Sequence, residues 1–226
     1  MSRSESDQSL IRDKVNNSKT FCVFPWNHLH VTPIGTAAPC CISESCSNHF
    51  GMGDAKNNRL MDLINSPKMK QLRLDMINGV ESEECKKCYQ HENAGVKSFR
   101  EEGLRLYPDT IEKVVNTNED GSVSEFSMEY FDMRFSNLCN FKCRTCGQEY
   151  SSQWEQENNR TYADRPQVNF PKGANKELLQ DVIDQIPHFK KAYFPRFNMR
   201  VDIDLLEIIL DKIVKLKTYE DGVILY

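Results

Sequence analysis

The chain has 226 residues, a net charge of −4, and 39% hydrophobic and 27% charged residues. That balance describes a folded globular protein and gives no general electrostatic reason to bind nucleic acid or an anionic membrane surface. No apolar run approaches the roughly 20 residues of a membrane span, and the polar N-terminus MSRSESDQSLIRDKVNNSKT lacks an apolar signal core.

Residues 1–20 read as a disordered tail. Residues 21–100 read as a small cysteine-rich α+β domain. It opens with FCVFPWNHLHVTPIGTAAPCC, where Val23, Leu29, Val31 and Ile34 suggest short extended segments punctuated by Pro33, Gly35 and Pro39. Two short helices follow. NRLMDLIN places Leu60, Leu63 and Ile64 on one face, and PKMKQLRLDMING places Met69, Leu72 and Met76 on another. Pro67 suits a first helical turn and Gly79 a stop. Residues 101–127 form a polar linker in which Asp120-Gly121 reads as a hairpin turn.

Residues 128–226 alternate strand and helix. MEYFDMRF has strand character, GQEYSSQWEQENN looks helical, and NKELLQDVIDQI carries an apolar stripe of Leu178, Leu179, Val182, Ile183 and Ile186. KKAYF is a short strand, IDLLEIILDKIVKL a helix, and GVILY a final strand. This order implies parallel pairing and an α/β fold.

Nine cysteines without an export signal point to a reducing, cytoplasmic setting, where clustered thiols are more often metal ligands than disulfides. They fall into two sets. Cys139, Cys143 and Cys146 lie in CNFKCRTC, just after the strand. Structural zinc usually takes four ligands. Three cysteines in one loop fit a cubane iron–sulfur cluster, which leaves one iron open for a substrate or cofactor. Cys22 and Cys40 flank Gly35 in a C-x12-G-x4-C pattern, and Cys85 and Cys88 form a later C-x2-C. Four thiolates close a 4Fe-4S cluster or a structural zinc site equally well. Cys41 and Cys46 are spare, and either could replace Cys40. His91 is a possible substitute ligand. His28 and His30 share a strand face and read as a packed or surface pair, and Trp26 and Trp154 as packing residues.

CNFKCRTC resembles the C-x3-C-x2-C signature of radical S-adenosylmethionine enzymes. The resemblance implies that Cys139, Cys143 and Cys146 hold a 4Fe-4S cluster whose open iron binds S-adenosylmethionine. It implies reductive cleavage of that cofactor to a 5′-deoxyadenosyl radical, which modifies a peptide or small-molecule substrate. It also implies a TIM-like barrel, here only its first βαβαβ part, and an electron donor such as a flavodoxin or ferredoxin. The Cys22, Cys40, Cys85 and Cys88 pattern resembles the auxiliary-cluster module called a twitch or SPASM domain, which implies a second 4Fe-4S cluster. Two features depart from the pattern. The stretch after KKAYF is PRFNMRV, where these barrels carry Gly-Gly-Glu, and 88 residues from Cys139 to Tyr226 hold about three strands. A C-terminally truncated enzyme is therefore expected, with a catalytically inactive metal-binding fragment or a zinc-stabilised interaction module as alternatives.

Overall fold

In the computed structural model, the described residues are 4–46, 51–139, 141–161, 175–192, 211 and 224–225. One six-stranded sheet runs through both halves of the sequence. Strand β1 (His28–Val31) leads through a tight turn into β2 (Thr36–Ala38), which pairs antiparallel with it and with β3 (Gly53–Asp54). On its other side β1 pairs in parallel with β4 (Tyr130–Met133). Parallel pairing continues to β5 (Lys191–Ala192) and β6 (Ile224–Leu225). The parallel order expected for MEYFDMRF, KKAYF and GVILY is observed. Residues 193–210 and 212–223, which include PRFNMRV and most of the IDLLEIILDKIVKL helix, lie outside the described residues.

The pairing of β1 with β4 sorts side chains by chemistry. Their register sets His28 beside Tyr130, Leu29 beside Phe131, His30 beside Asp132 and Val31 beside Met133. Successive strand residues point to opposite faces. One face therefore carries Leu29, Val31, Phe131 and Met133, and the other His28, His30, Tyr130 and Asp132. Helix α9 (Lys176–Gln185) and the residues just after it belong to the same core as the apolar face, and Phe189 stacks on Phe131 at 5.4 Å. The polar face is buried as well. Phe24, in the single-turn helix α2 (Phe24–Asn27), packs on His28 at 5.5 Å and on Tyr130 at 6.0 Å.

The entry to β1 is tied down by side chains from distant segments. Helices α3 (Leu60–Ile64) and α4 (Pro67–Ile77) form where the periodicity places them, and Ser66 caps the second by accepting from the Met69 N–H. Arg73, on α4, is fully buried. It donates to the Pro25 carbonyl at 3.0 and 2.8 Å and to the Gly121 carbonyl at 3.1 Å. Burial lowers its guanidinium pKa to about 10, and carbonyl oxygens satisfy the donors that burial strips of water. Trp26 donates from Nε1 to Thr117 at 2.8 Å, and Asn27 from Nδ2 to Thr110 at 3.0 Å. The Asp120-Gly121 pair makes its turn, with Gly121 at φ 81°, but no strands flank it.

The N-terminal expectation needs correction. Residues expected to be a disordered tail form helix α1 (Glu5–Asn16). Ser4 caps it by accepting from the Asp7 N–H at 3.3 Å, and Ile11 and Val15, one turn apart, are buried. Arg12 pairs with Glu112, next to Ile111 at the start of helix α7 (Ile111–Val114), at 2.7 Å. Three apolar residues in a polar run, Leu10, Ile11 and Val15, give too little periodicity to reveal a helix, but the two that are buried suffice once a core is there to receive them.

Among the described residues, no helix is long and apolar enough to cross a membrane.

Candidate metal centre

The spacing C-x12-G-x4-C has a structural reason. After Cys22 the chain runs out along β1, reverses, and returns along β2 to Cys40. The reversal closes with the Gly35 N–H donating to the Thr32 carbonyl at 2.9 Å and the Thr32 N–H donating to the Thr36 carbonyl at 3.0 Å. Gly35 sits at φ 90°, a conformation open to glycine and strained for other residues. A Cβ there would also meet the Lys56 side chain at 2.9 Å. The hairpin thus folds the second cysteine back beside the first. Cys85 ends a 3-10 turn (Glu83–Cys85), and Cys88 lies in the first turn of helix α5 (Lys86–Asn93).

These four thiols meet. Cys22, Cys40, Cys85 and Cys88 line one pocket with Phe24, Phe99 and Arg100. Neither Cys41 nor Cys46 lines it. Cys46 instead donates its thiol to the Cys40 carbonyl at 3.1 Å, and Cys41 sits near Asp132 and Arg134 of the polar sheet face. A strut fixes the Cys40 loop to the Cys85 turn. Glu84 accepts from the Ser45 N–H at 2.9 Å, from the Ser45 hydroxyl at 2.7 Å, and from the Ser43 hydroxyl.

Each sulfur of the pocket has a polar neighbour that works against its rise in pKa. The Phe24 N–H does so at Cys22 and the Ile42 N–H at Cys40. The Tyr89 hydroxyl, which donates to the Thr20 carbonyl at 3.4 Å, lies beside Cys85, and the Phe99 and Arg100 N–H groups act at Cys88. Burial pushes all four thiols up, Cys85 to about 12, and close packing of the thiols adds to the rise at Cys22, Cys40 and Cys85. Without a cation the four are protonated at neutral pH, while these polar neighbours favour the thiolate. That is the donor set of a thiolate–metal site, in which ligation expels the protons. Among the described residues no group of three or more His, Cys, Asp or Glu side chains could hold a single metal ion.

The second set is also drawn together. Cys139 is buried, and Cys143 and Cys146 are partly buried. Burial raises the Cys146 thiol, and neighbouring Cys143 and Cys139 add to the rise. The Cys146 N–H donates to the Cys143 carbonyl at 3.1 Å, closing a turn. Helix α8 (Ser152–Thr161) holds the loop from one side. Ser152 Oγ lies 3.1 Å from the Cys139 carbonyl and 3.3 Å from its N–H, and Ser151 donates to the Phe141 carbonyl at 2.7 Å. Trp154, which reads as packing, donates from Nε1 to the Cys143 carbonyl at 3.0 Å and lies under the Lys142 ammonium at 5.0 Å. Its position on α8, facing the loop, was the missing signal, because the sequence does not show where that helix docks.

His28 and His30 are buried on the polar face, and neither lines the cysteine pocket. His28 Nδ1 lies 2.7 Å from the Tyr130 carbonyl, while its Nε2 has no hydrogen-bond partner among the described residues.

A mixed α/β protein whose pocket is lined by four thiols has the side chains that a cysteine-ligated metal centre uses. The comparison with known families is more particular: residues 22–89 match SPASM, an iron-sulfur cluster-binding domain. The match spans the hairpin, Cys22, Cys40, Cys85 and Cys88, and covers less than half of the chain. No curated protein and no solved structure matches the chain.

Proposed function

We propose that Cys22, Cys40, Cys85 and Cys88 hold an auxiliary 4Fe-4S cluster, and that Cys139, Cys143 and Cys146 hold a second one that binds S-adenosylmethionine. The observation that carries the reading is the convergence of two cysteine pairs, about 45 residues apart along the chain, on one pocket within the SPASM match. A cubane takes each thiolate at a separate iron corner, whereas zinc gathers its ligands about 2.3 Å from one point. The SPASM match, to an iron-sulfur cluster-binding domain, favours the former.

A reduced cluster held by Cys139, Cys143 and Cys146 would supply one electron to the sulfonium of bound S-adenosylmethionine, the chemistry that starts radical modification of a peptide or small-molecule substrate. The chain's own residues prepare for that. The β4 strand delivers the Cys139 loop at the C-terminal edge of a parallel sheet, where sites of such folds lie. The Cys139, Cys143 and Cys146 thiols lose their protons on ligation. Ser151, Ser152 and Trp154 hold the loop's Phe141, Cys139 and Cys143 carbonyls. The polar face of β1 and β4 supplies hydrogen-bonding groups between the two cysteine sets. In this reading the β4–β5–β6 strands are the start of a TIM-like barrel, and a flavodoxin or ferredoxin in the cytoplasm delivers the electron.

The test is 5′-deoxyadenosine formation by anaerobically reconstituted, reduced protein. Turnover above a Cys143→Ala control supports the reading, and none above it overturns radical chemistry for this chain. PRFNMRV, in place of a Gly-Gly-Glu stretch after β5, favours a second reading. In that reading the chain binds clusters without cleaving the cofactor, and the same assay separates the two.

A further inference from the structure

We propose that Arg100, clamped by Glu92, sets the redox poise of the cluster held by Cys22, Cys40, Cys85 and Cys88. The inference rests on the reading that this pocket holds an iron–sulfur cluster.

Arg100 lines the pocket with the four thiols, and its side chain is only 8% exposed. A guanidinium so buried needs compensation. Glu92 provides it by accepting from Nε at 2.8 Å and from Nη2 at 2.5 Å, a paired geometry that fixes the plane of the group. The Phe21 carbonyl, next to Cys22, accepts from Nη1 at 2.9 Å. A guanidinium has five N–H donors, and these three bonds leave two. Glu92 is itself held, because the Ser98 hydroxyl donates to it at 2.6 Å.

A second observation points to the same pocket. Arg100 lies in the first turn of helix α6 (Phe99–Leu106), which Ser98 and Glu101 close with a capping box. The backbone N–H groups of Phe99 and Arg100 both act at the Cys88 sulfur. The start of α6 therefore presents to one cluster corner two N–H donors and the positive end of a helix dipole, with a fixed cation beside them. Burial pushes the thiols of Cys22, Cys85 and Cys88 up, and at all three Arg100 pulls against it. Glu92 opposes Arg100 at Cys88.

The sign follows from charge. Reduction adds one electron from a low-potential donor and no proton, so the cluster with its four thiolates becomes more negative by one. A buried cation stabilises that state more than the oxidised one and raises the potential. A nearby carboxylate does the reverse. Glu92 thus has two roles: it holds the guanidinium in the pocket and offsets part of its charge.

The test is an EPR-monitored redox titration of the full chain carrying Cys139→Ala, Cys143→Ala and Cys146→Ala, which leaves the auxiliary site alone to titrate. Dithionite is the reductant. Arg100→Gln should move the midpoint to more negative potential, Glu92→Gln should move it to more positive potential, and Arg100→Lys should fall between Arg100→Gln and the parent. Opposite shifts are an electrostatic signature, which a loosened pocket would not produce. Shifts in the same direction for Arg100→Gln and Glu92→Gln, or an unchanged midpoint in Arg100→Gln, overturn the proposal. Should Arg100→Gln fail to load iron, Arg100→Lys and Glu92→Gln decide it. Shifts down and up respectively support the role, and any other pair contradicts it. A parent protein that binds no iron at the four thiols would defeat the cluster reading itself, which distinguishes that failure from this one.

Discussion

His30 Nδ1 lies 3.0 Å from Asp132 Oδ2 and 3.1 Å from the Asp132 carbonyl oxygen, across the parallel junction of β1 and β4. Both side chains are almost completely buried, at 3% and 2% exposure. Although burial works to raise it, the Asp132 carboxyl is held below its usual value by the His30 bond and by charges from His30, His28 and Arg134. The pair joins the hairpin that carries Cys22 and Cys40 to the strand that precedes Cys139. Asp132→Ala should remove the acceptor, leave His30 buried with fewer partners, and cost about 2–3 kcal/mol. Urea unfolding of the metal-free chain measures this. A cost below about 0.5 kcal/mol would mean that the junction does not depend on the pair.

His28 predicts an acid-sensitive fold. Burial lowers its pKa from the ordinary 6.5 to about 4, with Asp132 and the Tyr130 carbonyl working against the shift. The unfolded chain then binds a proton that the folded chain refuses over this interval, so stability falls as pH drops from about 6.5 towards 4 and holds above 6.5. The full effect is about 3 kcal/mol. Unfolding free energies at pH 7 and pH 4.5 should differ more for the parent than for His28→Gln, which cannot titrate there. Equal pH dependence in the two would refute the assignment.

The hairpin glycine makes a third prediction. Gly35→Ala places a Cβ at φ 90°, against Lys56. The strain should cost about 1–2 kcal/mol and displace Cys40 relative to Cys22. Iron at the auxiliary site should fall while the Cys139 loop, which follows β4, keeps its own. Iron counts on Gly35→Ala, with and without Cys139, Cys143 and Cys146, check both statements.

Trp154→Phe keeps the aromatic body but loses the indole donor to the Cys143 carbonyl. A partly buried hydrogen bond of this kind is worth about 1 kcal/mol, so folding should change little. The effect should appear at the loop as lower iron retention during dilution into a chelator, with auxiliary iron unchanged. Equal retention at both sites would return Trp154 to a packing role.

Much of the site is legible in the sequence because its determinants are local. The glycine between Cys22 and Cys40 marks a turn that must take positive φ, and Cys85 and Cys88 lie one helical turn apart. The apolar stripe of α9 is likewise visible as periodicity. What the sequence hides depends on long-range docking. The pairing of β1 with β4 spans about a hundred residues, and a four-residue strand such as His28–Val31 carries no mark of its partner. Arg73 and Arg100 look like surface charges until the carbonyls and carboxylate that satisfy them are in place. Helix α1 was missed because its stability comes from Ile11 and Val15 meeting a core, not from propensity.

The most direct test of the central claim is iron, acid-labile sulfide and zinc per chain after anaerobic reconstitution, measured for the parent and two variants. One variant has Cys139, Cys143 and Cys146 changed to Ala, and the other has Cys22, Cys40, Cys85 and Cys88 changed to Ala. Two cubane sites predict about eight irons per chain in the parent and about four in each variant, with matching sulfide. Zinc with little iron, or iron that does not fall in the four-cysteine variant, would contradict the account.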